Sequence, residues 1–173
     1  MMERLDVHGR VRPHLRGVIH LVAAIASVIG LVALVVVAST PTALLAAIIY
    51  GLAGVLLYGV SSSYHLLAHS PQAQKVMRRI DHSMIFVLIA GTYTPVCLLA
   101  LNGVGRWFLL AAVWAVALVG IFLKISALER FPKLGGTLYI AMGWLAILCL
   151  PALWSRPGIL LLGGIGGLIY TAG

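Results

Sequence analysis

Three side chains capable of chemistry, Ser61, His65 and Asp81, stand in an otherwise strongly apolar sequence. Ser61 and His65 are four residues apart, so they would share one face of a helix, and Asp81 follows sixteen residues after His65. Polar and ionisable groups are costly in apolar surroundings, and their presence there calls for a functional or structural reason. A polar stripe on a membrane helix would turn these groups toward the interior of a helical bundle.

Together these groups are of the types that form zinc sites in proteins. An imidazole nitrogen ligates zinc, and a carboxylate either ligates the metal or holds a metal-bound water. Zinc lowers the pKa of bound water toward about 7, which makes that water a nucleophile. Ser61 would then stabilise an oxyanion or support a ligand through a hydrogen bond.

Structural explanations are available for the same residues. His65 would be a hydrogen-bonded residue at the membrane interface. Asp81 would be the N-cap of a helix, paired with Arg78 or Arg79. Ser61 would donate to the carbonyl of residue 57 in its own helix.

The other histidines leave further alternatives open. His65 and His69 are four residues apart and would chelate a metal together if the helix continued past Leu67. His20 lies at the start of the first apolar segment, where it faces either the cluster or its surroundings. His82 points about 100° away from Asp81 on a helix, which favours an interfacial position.

The composition identifies the elements that must position these groups. Hydrophobic residues make up 62% of the chain and charged residues 9%, whereas a soluble domain carries about a quarter charged residues. Repeated apolar runs of membrane-spanning length predict an all-α, multi-pass transmembrane bundle forming one domain over residues 17–173, after a basic tail over residues 1–16. The predicted spans are about 17–38, 42–66, 81–101, 107–125, 134–154 and 159–173.

The basic residues predict the orientation of this bundle. Ten of the twelve Lys and Arg residues fall in the tail, in the second and fourth connections or, for Lys124, at the span end next to the fourth connection, and only Arg106 and Arg156 fall in the alternate connections. This bias predicts a cytoplasmic N-terminus in a cell inner membrane or plasma membrane. Membrane lipids are the expected partners, a homo-oligomer is left open, and the positive charge does not indicate a nucleic-acid partner.

Two features inside the spans concern packing. Pro95, in the run Gly91-Thr92-Tyr93-Thr94-Pro95, interrupts span three, either as a packing kink or as part of a cavity wall. Cys97 and Cys149 both lie in apolar segments and are expected to be small apolar filler rather than a disulfide or a metal site.

Four motifs resemble the hemolysin III proteins of bacteria, relatives of the progestin and adipoQ receptors, and the match runs across the whole chain. They are Arg-Gly-Val-Ile-His at 16–20, Ser61-x-x-x-His65, Arg-Ile-Asp-His-Ser-Met-Ile at 79–85 and Ala-Gly-Thr-Tyr-Thr-Pro at 90–95. The resemblance implies a seven-helix bundle, with His65 as a direct zinc ligand and Asp81 holding the zinc-bound water beside Ser61.

The same resemblance implies two further zinc ligands from a His-x-x-x-His motif on a seventh helix. No such motif follows the sixth apolar run, so we expect that this chain is truncated before the seventh helix. We expect the intact protein to bind zinc.

Two classes of function remain. The first is a zinc-dependent hydrolase of a lipid amide, with Asp81 and Ser61 as catalytic residues; ceramidases in a wider, similar superfamily suggest ceramide-like substrates. The second is a non-enzymatic receptor or sensor of membrane state with structural zinc, or a pore-forming cytolysin. The spans carry no charged stripe that would line a water-filled channel.

Overall fold

The computed structural model describes residues 14–127, 132–149, 154 and 157–172, which form six α-helices. The helices are α1 (His14–Val37), α2 (Pro41–Leu67), α3 (Pro71–Pro95), α4 (Gly105–Ala127), α5 (Pro132–Trp144) and α6 (Pro157–Ala172). A π-helical turn, Val96–Ala100, continues α3, and a 3₁₀ segment, Leu145–Cys149, continues α5. The predicted all-α class is confirmed.

Four of these helices are long and apolar enough to cross a membrane, namely α1, α2, α4 and α3 with its π-helical turn. Helices α5 and α6 are shorter, at 13 and 16 residues. The composition and these helices together define a multi-pass membrane protein.

Prolines mark the start of α2 and α3. Pro41 and Pro71 occupy the first turn, where the missing N–H would have no partner within the helix. Thr40 and Ser70 precede them, and each side-chain oxygen accepts a hydrogen bond, from the N–H of Ala43 and of Ala73 respectively, at 3.1 Å. This combination of a capping residue and proline specifies where each helix begins.

Helix α3 begins at Pro71, ten residues before the predicted start of span three, so most of the predicted connection is helical. The alternative that Asp81 is a helix N-cap is wrong, because Ser70 is the N-cap and Asp81 lies well inside the helix. Hydropathy detected only the apolar part of α3, whereas the cap and the proline define its polar first turns.

Small residues bring the first three helices together in antiparallel pairs. A Cβ at Gly17 would lie 3.0 Å from Cβ of His65, and one at Gly51 would lie 2.8 Å from Cβ of Leu31. This register places the start of α1 beside the end of α2. Between α2 and α3, a Cβ at Gly91 would lie 2.5 Å from Cβ of Ala53.

The buried core lies between α3, α4 and α5. In this core the aromatic rings of Phe86 and Tyr139 pack against each other, with centroids 4.5 Å apart. A Cβ at Gly120 would overlap the Phe86 ring, so this glycine permits close packing of α4. Cys97 and Cys149 are free and fully buried in the same core, as expected for apolar filler.

The segment around Pro95 serves packing. Tyr93 donates from its hydroxyl to the carbonyl of Met142 at 2.8 Å, and this bond ties α3 to α5. The hydroxyls of Thr92 and Thr94 donate to the carbonyls of Leu88 and Ala90 within the same helix.

Candidate functional site

Ser61 is hydrogen-bonded to His20 across the α1–α2 interface. The Oγ of Ser61 and Nδ1 of His20 lie 2.7 Å apart, and Ser61 donates when Nδ1 is unprotonated. Ser61 is buried, and the Tyr58 ring lies edge-on to the imidazole with centroids 5.7 Å apart. The polar stripe of α2 therefore faces α1, and its hydroxyl has an interhelical partner instead of the carbonyl of residue 57.

His65 lies one turn beyond Ser61 on the same stripe. Its ring is edge-on to that of His20, with centroids 6.3 Å apart. Gly17 makes this approach possible, because a side chain there would press against His65 and Leu66. The two imidazoles are therefore neighbours at the interface between the paired helices.

Asp81 enters the same region from α3. Its side chain is 16% exposed, and its carboxylate lies 3.8 Å from Nδ1 of His82. It is also close enough to His20 to interact electrostatically with that imidazole. The structure thus brings Asp81, His20, Ser61 and His65 to one level of the bundle, and we call these four residues the polar cluster.

The contacts of His82 stabilise the packing of α3 and α5. Its Nδ1–H donates to the carbonyl of Arg78 at 2.8 Å, which leaves Nε2 as the acceptor nitrogen. The hydroxyl of Tyr139 donates to the carbonyl of His82 at 2.7 Å. These bonds hold α5 against α3 next to Asp81, so they stabilise the position of the carboxylate.

The neighbouring hydroxyls differ from Ser61 in their contacts. Ser62 and Ser63 both donate to the carbonyl of Gly59, at 3.0 and 2.8 Å, within their own helix. Of these three serines, Ser61 is the one whose hydroxyl is hydrogen-bonded to another helix. This contrast provides an internal control for its role.

The alternative that His65 and His69 chelate a metal through helical spacing is wrong. Helix α2 ends at Leu67, and the backbone of Ala68 is extended. His69 therefore lies outside the helix and is exposed. The polar residues around Pro71 already belong to the next helix, and this leaves no further turn for α2.

The described residues fit a zinc site only in part. Within the described ranges, no three His, Cys, Asp or Glu side chains are grouped closely enough to hold a metal ion. A protein zinc site normally has at least three protein ligands. His65 and Asp81 are suitable donors, but they do not complete such a site by themselves.

His20 is the member of the polar cluster whose position the sequence left open. The short connection of three residues, 38–40, could have predicted this position, because it forces α1 and α2 into an antiparallel pair. With the ends fixed in this way, His20 falls level with Ser61. Gly17, one turn earlier, then allows the backbones to approach closely.

The fold and the polar cluster define a class: a multi-pass α-helical membrane protein with a histidine, serine and carboxylate cluster between its first three helices. The model of the family described as "Haemolysin-III related" matches residues 8–173. The chain belongs to this family.

Two relatives support this assignment. The chain is 40% identical over 160 residues to "Hemolysin-3" of Bacillus cereus, covering 89% of this chain and 72% of that protein. It is 41% identical over 128 residues to "Hemolysin-3 homolog" of Bacillus subtilis (strain 168), covering 72% of this chain and 59% of that protein. The second match thus covers less than two thirds of its relative. No solved structure matches the chain significantly.

Proposed function

We propose that this protein acts on membrane lipids through the polar cluster, as a zinc-dependent hydrolase of a lipid amide. The observation that carries the proposal is the His20–Ser61 hydrogen bond beside His65, with Asp81 at the same level of the bundle. Costly polar groups gathered at one depth of an apolar bundle are typical of a functional site.

The proposed zinc site uses His65 as a direct ligand and Asp81 through water, with its remaining ligands outside the described residues. Zinc bound there would supply a Lewis acid and an acidified water. The resemblance to hemolysin III proteins supports this assignment, and so does the donor chemistry of the two side chains.

The chain's own residues have distinct tasks in this proposal. Asp81 accepts a proton from the water that attacks the amide carbonyl and returns it to the amide nitrogen as the C–N bond breaks, which releases the amine and the fatty acid, since a partly buried carboxylate is a suitable general base. In this role Nδ1–H of His20 donates to the Ser61 oxygen, which frees the single Ser61 hydroxyl hydrogen to be donated to the developing oxyanion of the amide carbonyl. His20 orients that hydroxyl, and the apolar walls of the bundle accept the lipid chains.

A lipid-amide assay on the intact purified protein tests the proposal. Fatty-acid release from a ceramide-like amide should fall at least about a hundredfold in Asp81→Asn, because general-base catalysis contributes about that much or more. Ser63→Ala is the matched control, since its hydroxyl bonds only within α2, and it should keep its activity. Full activity in Asp81→Asn would contradict the proposal.

Membrane lysis is a second candidate, favoured by the name of the Bacillus cereus relative. Release of dye from pure lipid vesicles by the protein alone, unchanged in His65→Ala, would support lysis independent of the polar cluster. A receptor or sensor role predicts instead that lipid binding depends on His65 without any release of fatty acid.

A further inference from the structure

Lys124, in the last turn of α4, is a buried cation outside the polar cluster. The residue is 5% exposed, and its ammonium lies over the Tyr139 ring, 5.4 Å from the centroid. Within the described ranges the only carboxylate side chain is that of Asp81, which lies 3.8 Å from Nδ1 of His82. Cation–π contact offsets only part of the cost of removing an ammonium from water.

Two arginines of α3 lie near Lys124. Arg78 is close enough for its positive charge to repel that of Lys124, and both act on His82. Arg79 donates from Nη1 to the carbonyl of Ile125 at 3.1 Å, beside Lys124 in the chain. The Nε of Arg79 is buried and has no hydrogen-bond partner in the described part of the chain.

The positions of Lys124 and Arg79 are unfavourable unless an anion joins them. Like charges held together in partly buried surroundings destabilise a fold, and an unpaired buried N–H adds to that cost. An anion with several acceptor oxygens would relieve both effects at once. A phosphate group has that chemistry, and guanidinium and ammonium groups bind it through charge-assisted hydrogen bonds.

We propose that Arg78, Arg79 and Lys124, here called the basic site, bind a phosphate group between the N-terminal half of α3 and the last turn of α4. The two arginines lie about two turns into α3 and are partly exposed, so the phosphate can reach them from the surface of the protein. Arg79 contacts the last turn of α4 as well as the proposed phosphate. The site is independent of zinc and of the lipid-amide activity.

Thermal unfolding of the full chain in neutral detergent tests the basic site. Phosphatidylglycerol should raise the unfolding midpoint by several degrees, and phosphatidylcholine, whose phosphate is neutralised within its own headgroup, should not. Inorganic phosphate identifies the source: a matching rise indicates a site for free phosphate, and a rise with the anionic lipid alone indicates a lipid headgroup. Absence of both rises overturns the proposal.

Variants locate the effect. Lys124→Met and Arg78→Gln should each weaken phosphatidylglycerol binding roughly tenfold or more, as expected for loss of a charged hydrogen bond. Arg106→Met removes a charge from the opposite end of α4 and should leave binding unchanged. Equal binding by wild type, Lys124→Met and Arg78→Gln overturns the proposal, and having two variants covers a failure of either one to fold.

A carboxylate of this chain is the alternative to phosphate, and Glu129, which lies outside the described residues, follows Lys124 closely in the sequence. With phosphate as the counter-ion, Glu129→Gln keeps the lipid-induced rise in midpoint. With Glu129 as the counter-ion, Glu129→Gln destabilises the lipid-free protein, and Lys124→Met added to it has no further effect. That second pattern overturns the proposal.

Discussion

Ser61 and His20 illustrate how much of the candidate site depends on single side chains. Their 2.7 Å hydrogen bond crosses between helices in a buried position, so loss of one partner leaves the other unsatisfied. Leaving a buried polar group unpaired costs about 1–3 kcal/mol. The bond therefore contributes to stability as well as to the geometry of the polar cluster.

Replacing Ser61 with alanine tests this bond. We expect Ser61→Ala to lower the free energy of unfolding by about 1–3 kcal/mol, because Nδ1 of His20 loses its partner. Ser63→Ala should have an effect within about 0.5 kcal/mol, since an exchange that only removes a back-bond within a helix costs little. Chemical unfolding in detergent measures both changes.

A double-mutant cycle separates the bond from the rest of the environment. Coupling between His20→Gln and Ser61→Ala of about 0.5–3 kcal/mol would agree with a direct contact. Strict additivity of the two changes would contradict the hydrogen bond.

The sequence predicted the types of residue in the cluster better than their partners. Ser61 and His65 were placed on one inward face by their spacing, and the structure brings both to the α1–α2 interface. The partner of Ser61 was not predicted, because local spacing does not specify which neighbouring helix a stripe faces. That information lies in the short connection between the helices.

At the scale of the elements, glycines on α2 decide how closely the helices pack. Gly51 faces Leu31 of α1, whereas a Cβ at Gly59 would have nothing within 4 Å. The same substitution at these two positions therefore has opposite expected effects, and the comparison tests the register of α1 against α2.

We expect Gly51→Ala to destabilise the protein by about 1–3 kcal/mol, because its Cβ would push against Leu31. Gly59→Ala should be neutral or stabilising by up to about 1 kcal/mol, since alanine favours a helix. Unfolding midpoints of the two variants provide the measurement. Equal effects at both sites would rule out the packing of Gly51 described above.

The bounds of α3 show where sequence patterns fail for an element. Apolar periodicity indicated a span starting near Asp81, but the helix starts at Pro71. The residues between Pro71 and Asp81 are helical, but they are too polar to be recognised as part of an apolar span. Ser70 and Pro71 carried the start signal, and that signal is independent of hydropathy.

For the molecule as a whole, the all-α transmembrane class could be predicted from the composition, because the chain has too few charged residues for the surface of a soluble protein. The six helices of the described residues agree with the six apolar runs. The zinc ligands beyond His65 and Asp81 could not be predicted from residue spacing, since no three His, Cys, Asp or Glu side chains of the described ranges are grouped closely enough to hold a metal ion.

Orientation is a prediction for the whole molecule. A cytoplasmic N-terminus places His69, between α2 and α3, in the cytoplasm and Asn102, between α3 and α4, outside. In intact cells, a membrane-impermeant thiol reagent should label Asn102→Cys, whereas His69→Cys should react only after the cells are broken. The native cysteines are fully buried and should contribute no background. The opposite labelling pattern would reverse the predicted orientation.

The central claim is that the polar cluster contributes His65 to a zinc site of a lipid-acting membrane protein. The most direct measurement is elemental analysis of the intact purified protein together with His65→Ala and His69→Ala. We predict about one zinc per wild-type protein, loss of that zinc in His65→Ala, and retention in His69→Ala, whose imidazole lies outside the helix. A wild-type protein without zinc, or equal zinc in His65→Ala, would contradict the account.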